Sequence, residues 1–260
     1  MEKIDKNGGG FVLIISIAVF VILLVPAFAH LHMMGAEPTI SSIEENGSKI
    51  SLSTKIQLPK YVALTFDDGP YGTSTDAILT ILEREKVPAT FFLIGKNAKL
   101  HPDEIRREIA DGDVVGNHSF SHTRALPSEA TTTLRVDVSR AEEIIATTTG
   151  LIPELFRAPY GATSPNMVGE IEHEGYTVVG WDIDTKDWVN TNSSTTIIAT
   201  VMNNIRPNNI ILFHDGHETG ASYSRNNTIE ALSTLIEDLR AKGYTFVTVD
   251  KILHVKAYQP

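Results

Sequence analysis

Thr65-Phe66-Asp67-Asp68-Gly69-Pro70 closes a short run in which Tyr61, Ala63 and Thr65 alternate with Val62, Leu64 and Phe66. The run is β-prone and largely apolar, which suits a buried strand, and it stops at Asp-Asp-Gly-Pro, a turn signal. Two carboxylates therefore stand side by side where a strand meets a loop. Neighbouring carboxylates resist joint ionisation unless a cation or a guanidinium neutralises one of them. Solvated acids in an Asx turn are the plainer reading of the same residues, and the rest of the chain weighs against it.

Downstream, helical and strand-like stretches alternate. Ala77, Ile78, Ile81 and Leu82 recur at helical spacing within 73–86, and 89–94 reads as a buried strand. Helices follow at 101–110, at 128–147 with Val136, Val138, Ile144 and Ile145, and then at 164–174, 195–205 and 228–241. Strands are expected at 114–115, 155–156, 176–181, 210–213 and 246–249. About seven strands alternating with helices predict an α/β fold, a parallel barrel-like sheet whose active residues lie at strand C-terminal ends. A chain of 260 residues with 42% hydrophobic content fits one large domain of this kind.

The N-terminal segment differs from the rest. Phe11 to Val25 is apolar except for Ser16, follows Lys3 and Lys6, and precedes Pro26 and Ala27-Phe28-Ala29. It is short for a membrane span of about 20 residues, and Ala-x-Ala after a helix-breaking proline suits cleavage of a signal peptide after Ala29. An uncleaved anchor is the competing reading, because Glu2 and Asp5 offset the two lysines. Residues 1–29 are thus expected to be a signal peptide or membrane anchor, 30–59 a polar linker, and 60–260 a catalytic domain outside the cytoplasm. Any membrane contact is expected only through the N-terminal segment, and the chain is expected to be a monomer.

A net charge of −10 argues against nucleic acid and anionic lipid as partners. With no cysteine, disulfides and thiolate metal sites are excluded, so a metal would need His, Asp or Glu. His118-Ser119-Phe120-Ser121-His122 follows the strand at 114–115 and sets two imidazoles four residues apart. On one helical turn they would face the same way, and with one carboxylate they would make a three-ligand site with positions open for water and substrate. Phe156-Arg157-Ala158-Pro159-Tyr160-Gly161 supplies a guanidinium able to hold a carboxylate in bidentate geometry. Trp181-Asp182-Ile183-Asp184-Thr185-Lys186-Asp187-Trp188 groups three acids with two indoles, of which Trp181 is expected in the core. Ile211-Leu212-Phe213-His214-Asp215-Gly216 ends a further strand with an imidazole. Structural explanations would have to coincide at five successive strand ends.

From about Tyr61 onward the chain resembles the polysaccharide deacetylases of carbohydrate esterase family 4, which share the NodB homology domain. Its motifs stand in order: T-F-D-D-G-P at 65–70, H-S-x-x-H at 118–122, R-x-P-Y at 157–160, D-x-x-D-W at 184–188 and L-x-H at 212–214. The resemblance implies a distorted β/α barrel with fewer than eight regular strands. It makes Asp67 the general base, and Asp68, His118 and His122 the ligands of a divalent metal, usually Zn²⁺. Arg157 would orient Asp67 and keep it ionised, and the Tyr160 backbone N–H would help hold the oxyanion. His214, hydrogen-bonded to Asp187, would protonate the leaving amine, while Leu212 and Trp188 wall a pocket for the acetyl methyl group. Such a protein would remove N-acetyl groups from a GlcNAc-containing glycan such as peptidoglycan, chitin or an exopolysaccharide. An O-acetyl xylan esterase of the same family and an inactive glycan-binding module are the alternatives.

Overall fold

β1 (Lys60–Asp67) is the central strand of the computed structural model, which describes residues 59–218 and 224–260. The signal-or-anchor reading of 1–29 and the linker reading up to residue 58 lie outside the described residues. Parallel pairing joins β1 to β2 (Ala89–Leu93) on one side and to β7 (Asn209–His214) on the other. From β2 the sheet continues through β3 (Val114–Asn117) and β4 (Leu155–Phe156) to β5 (Thr177–Val178); from β7 it continues to β6 (Ile183–Asp184). These seven strands form one path, and β8 (Tyr244–Phe246) pairs with the first residues of β1. All the pairings are parallel, as expected for a distorted barrel-like sheet.

Alternation along β1 gives the sheet its two faces. Val62, Leu64 and Phe66 point outward into a core shared with the helices α1 (Gly72–Glu85) and α7 (Asn226–Ala241), where Phe66 stacks between Phe91 and Phe213 at 5.1 and 5.6 Å. Burying each such ring contributes about 1.5–3 kcal/mol. Ala63 points the other way, into a second cluster with Phe92, Val114, Leu155 and Ile210. Thr65 and Asp67, at the same parity as Ala63, share that inner face. The register places Asp67 beside His214 and Asn117 beside both Leu93 and Phe156. The chemistry-bearing loops therefore leave neighbouring strands at one rim.

The remaining helices are α2 (Gly95–Leu100), α3 (Pro102–Ala110), α4 (Thr131–Thr149), α5 (Pro165–His173), α6 (Ser194–Asn204) and α8 (Val249–Leu253). Several details differ from the sequence reading. The strand expected at 176–181 stops after Val178, because Val179 and Gly180 give their carbonyls to the Arg157 side chain. β6 was not expected; it pairs only with Ile211 and Leu212, and Asp182 accepts the Ile210 N–H at 2.7 Å just before it. The last strand lies at Tyr244–Phe246 rather than 246–249, with Val249 opening a helix. Trp181 is half-buried against the inner cluster rather than sealed in the core, and Val136 lies on the exposed side of α4.

Candidate active site

Asp67 meets Arg157 on the inner face of the barrel. Nη1 of Arg157 donates to Asp67 Oδ1 and to Thr65 Oγ1, both at 2.8 Å. Nη2 donates to the Gly180 carbonyl at 2.9 Å and Nε to the Val179 carbonyl at 3.4 Å. The guanidinium lies 4.1 Å from the centroid of the Phe92 ring and is fully buried. Burial pulls its pKa down from the usual guanidinium value, and the Asp67 carboxylate opposes that. The contact is a single charge-assisted hydrogen bond rather than the bidentate clamp expected, because the rest of the fork is committed to Thr65 and the two carbonyls. Asp67 Oδ2 is left facing the histidines, 3.8 Å from His118 Nε2.

Asp68 turns away from its neighbour. Its φ of 73° takes the chain out of strand geometry and carries the side chain toward the His118–His122 loop. The turn is tightly enclosed: a Cβ on Gly69 would overlap the Asp215 carboxylate, and one on Gly216 would overlap the Asp68 carbonyl. Asp68 Oδ1 lies 3.1 Å from His122 Nε2 and 3.5 Å from His118 Nε2. The imidazole pair does not sit on a helical turn, as the spacing suggested. It sits on an irregular loop after β3, in which Ser119 and His122 have φ of 64° and 53°. Asn117 Oδ1 accepts the Ser119 N–H at 2.8 Å and Ser119 Oγ accepts the His122 N–H at 3.1 Å, so local hydrogen bonds bring the two rings to 5.0 Å.

The hydrogen bonds decide which nitrogen each ring presents. His118 Nδ1 faces the Arg157 carbonyl at 2.7 Å and His122 Nδ1 faces Glu218 Oε1 at 3.2 Å. Both partners only accept, so each Nδ1 carries a proton, and in the neutral form each ring turns an Nε2 lone pair toward Asp68. Asp68 Oδ1 is buried and, among the described residues, has no hydrogen-bond donor. The three ligand atoms lie within 4.8 Å of one another. Lone pairs that converge in this way need a proton or a cation between them, and one carboxylate with two imidazoles suits a divalent ion. Without the ion, a proton on Nε2 takes its place: burial works against ionisation of Asp68, but hydrogen bonds from imidazoles protonated in this way outweigh it and hold the carboxyl well below its usual range.

The third element is His214 with Asp187. Nδ1–H of His214 donates to Asp187 Oδ1 at 2.8 Å, and its backbone N–H donates to Oδ2 at 2.8 Å. The Thr228 hydroxyl donates to the same Oδ2 at 2.8 Å. Burial disfavours the imidazolium, but the Asp187 charge and hydrogen bond prevail, with Asp68 and Asp67 adding to them, and the His214 pKa is pushed up to about 9. Leu212, in register with Thr65, is buried on the inner face. Tyr160 packs its ring against His122 at 4.5 Å, and Trp188 is 50% exposed.

The structure thus brings Asp67, Asp68, His118, His122, Arg157, Asp187 and His214 together, with the Tyr160 ring beside His122 and Leu212 on the inner face. Sequence reasoning missed Thr65, Glu218 and Thr228. Thr65 was readable, since it shares a face with Asp67 at i, i+2; the other two come from distant segments with no local pattern to mark them.

Parallel strands that deliver carboxylates, imidazoles and a buried guanidinium to one rim define a barrel of the enzyme type. The family model for polysaccharide deacetylase matches residues 55–179, and the chain belongs to that family. It is 32% identical over 204 residues to the peptidoglycan-N-acetylglucosamine deacetylase PgdA of Listeria monocytogenes, an alignment covering 78% of this chain and 41% of that protein. Against the chitooligosaccharide deacetylase of a Bradyrhizobium strain, identity is 36%, covering 70% of this chain and 86% of the relative. The crystal structure of the Bc1960 peptidoglycan N-acetylglucosamine deacetylase, in complex with 4-naphthalen-1-yl-N-oxidanyl-benzamide, superposes with a TM-score of 0.72 at 32% identity, covering 78% of this chain and 92% of the other. The chain thus spans about two-fifths of the length of the Listeria protein.

Proposed function

We propose that the chain is an exported, metal-dependent deacetylase that hydrolyses the N-acetyl groups of a GlcNAc-containing glycan, yielding a free amine and acetate. The observation that carries this reading is the division of labour between adjacent aspartates: Asp67 is held by Arg157, and Asp68 faces His118 and His122. The names of the relatives support a glycan amide as substrate.

In this reading Asp68, His118 and His122 hold a divalent ion, with zinc as the proposed metal. Such an ion would polarise the acetyl carbonyl and make water a stronger nucleophile. Asp67, held by Arg157 through Oδ1, takes the water proton at Oδ2. The Tyr160 backbone N–H faces the developing oxyanion. An amide nitrogen leaves only when protonated, and His214, with a pKa near 9, carries that proton at neutral pH on the nitrogen that Asp187 does not occupy. Trp188 and Leu212 flank the acetyl methyl group. The apolar run at 11–25 and the Ala-x-Ala at 27–29 support an extracytoplasmic location, either secreted or membrane-anchored.

The test is acetate release from chitooligosaccharides, peptidoglycan and acetylxylan, before and after treatment with a chelator. Release from an N-acetylated glycan, abolished by chelation and restored by zinc, is expected. Release from acetylxylan alone, or turnover indifferent to the chelator, would contradict the proposal.

A further inference from the structure

The two imidazoles of the candidate metal centre are held differently. His118 gives its Nδ1–H to a backbone carbonyl of Arg157, which any side chain at 157 would supply. His122 instead faces a carboxylate, Glu218 Oε1, 3.2 Å from Nδ1. Glu218 comes from the segment that follows β7 and His214, far from His122 in sequence.

Residues 216–218 of that segment are held by hydrogen bonds. Asn97 Nδ2 donates to the Asp68 carbonyl at 2.7 Å and to the His217 carbonyl at 3.0 Å, tying the Asp68 turn to the residue just before Glu218. Arg225 Nε donates to the Gly216 carbonyl at 2.8 Å, and His217 Nδ1 donates to the carbonyl of Glu218 itself at 3.0 Å. The Glu218 side chain is half exposed while His122 is buried, so the carboxylate caps the ring from the solvent side.

We infer that Glu218 is a positioning residue for the metal centre: its carboxylate fixes the His122 tautomer and ring orientation, and so sets the affinity of the Asp68–His118–His122 site. The inference rests on the metal-binding role proposed for that site. A carboxylate behind a ligating imidazole raises its basicity and holds Nε2 toward the ion, and loss of such a partner typically weakens metal binding about 10- to 100-fold. Glu218 follows His214 by four residues, so the proposed acid and the outer support of the metal site belong to one stretch of chain.

The test is zinc affinity of the full chain by competition with a chromophoric chelator, for the unmodified protein, Glu218→Ala and Glu218→Gln. Glu218→Ala should bind zinc about 10- to 100-fold more weakly. Glu218→Gln, which keeps an acceptor oxygen without the charge, should recover part of the loss. The metal-free Glu218→Ala protein should melt close to the unmodified one, because a half-exposed pair adds little stability. With cobalt in place of zinc, the visible absorption of Glu218→Ala should shift. Equal zinc affinity in all three proteins would overturn this inference and leave the metal site standing. An unmodified protein that takes up no zinc would overturn the metal site and this inference together. A metal-free Glu218→Ala protein that melts early, with zinc affinity lost equally in Glu218→Gln, would replace positioning by general structural damage.

Discussion

Arg157 and Asp67 form a buried ion pair, Nη1 to Oδ1 at 2.8 Å, which leaves Asp68 as the carboxylate turned toward the imidazoles. The pair distinguishes two residues that the sequence presents as equivalent neighbours, and several measurable consequences follow from it.

Replacing Arg157 by Ala would strand the Asp67 carboxylate and remove the donors to Thr65, Val179 and Gly180. Breaking one side of a buried pair costs about 3–5 kcal/mol. Urea unfolding should show a loss of that size, and Arg157→Lys should recover only part of it, since one ammonium cannot reach all four acceptors. Unfolding unchanged by either substitution would mean that the pair contributes nothing to the fold.

The amide reaction should have an alkaline limb. With its pKa raised from 6.5 to about 9, His214 keeps its proton through neutral pH and loses it as pH passes about 9. The stability that His214 draws from Asp187 follows the same course: complete below about 6.5 and lost as pH rises through about 9. Asp187→Asn should move the limb in kcat toward the ordinary imidazole value. On an activated aryl acetate, whose leaving group needs no proton, His214→Ala should lower the rate far less than on the amide. A profile flat to pH 10 or above on the amide, or equal losses on both substrates, would remove His214 from the acid role.

Gly69 and Gly216 should tolerate no side chain. A Cβ at either position overlaps Asp215 or the Asp68 carbonyl, so Gly69→Ala and Gly216→Ala must displace the Asp68 turn. Overpacking of this kind typically costs about 1–3 kcal/mol, and metal uptake should fall with it. Full metal content at unchanged melting temperature in both variants would show that the turn yields freely.

Away from the rim, Asp113 stands just before β3, with Oδ1 accepting the Ala89 N–H at 2.7 Å and Oδ2 buried without a partner among the described residues. Burial raises its pKa from 3.8 to about 7, against the opposing Ala89 hydrogen bond. The protonated form is therefore the one the fold prefers; its contribution is complete below about 3.8 and lost as pH rises through about 7. Asp113→Asn keeps an acceptor and cannot ionise, so its melting temperature should improve relative to the unmodified protein as pH rises from about 4 to about 7. A constant difference across that range would contradict the shift.

Much of this was legible in the sequence because the motifs sit where a parallel barrel puts its chemistry. Strand parity on 61–66 separates Phe66 from Asp67, and the turn signal at Gly69-Pro70 marks the strand end. What stayed hidden depends on contacts between distant segments. β6 exists because two residues meet β7, and the strand at 176–181 stops early because Arg157 takes two of its carbonyls. The His118–His122 spacing suggested a helical turn, but Asn117 and Ser119 side chains bend the loop into another shape with the same convergence. Glu218 and Thr228 reach His122 and Asp187 across long sequence separations and leave no periodic trace.

The measurement that bears most directly on the central claim is metal content, together with kcat on an N-acetylated oligosaccharide, for Asp67→Asn and Asp68→Asn. Asp67→Asn should keep its metal and lose about 10²- to 10⁴-fold in rate, the range general-base catalysis contributes. Asp68→Asn should lose the metal. An Asp67→Asn protein that comes out empty, or an Asp68→Asn protein that remains loaded, would contradict the division of labour on which the proposed function rests.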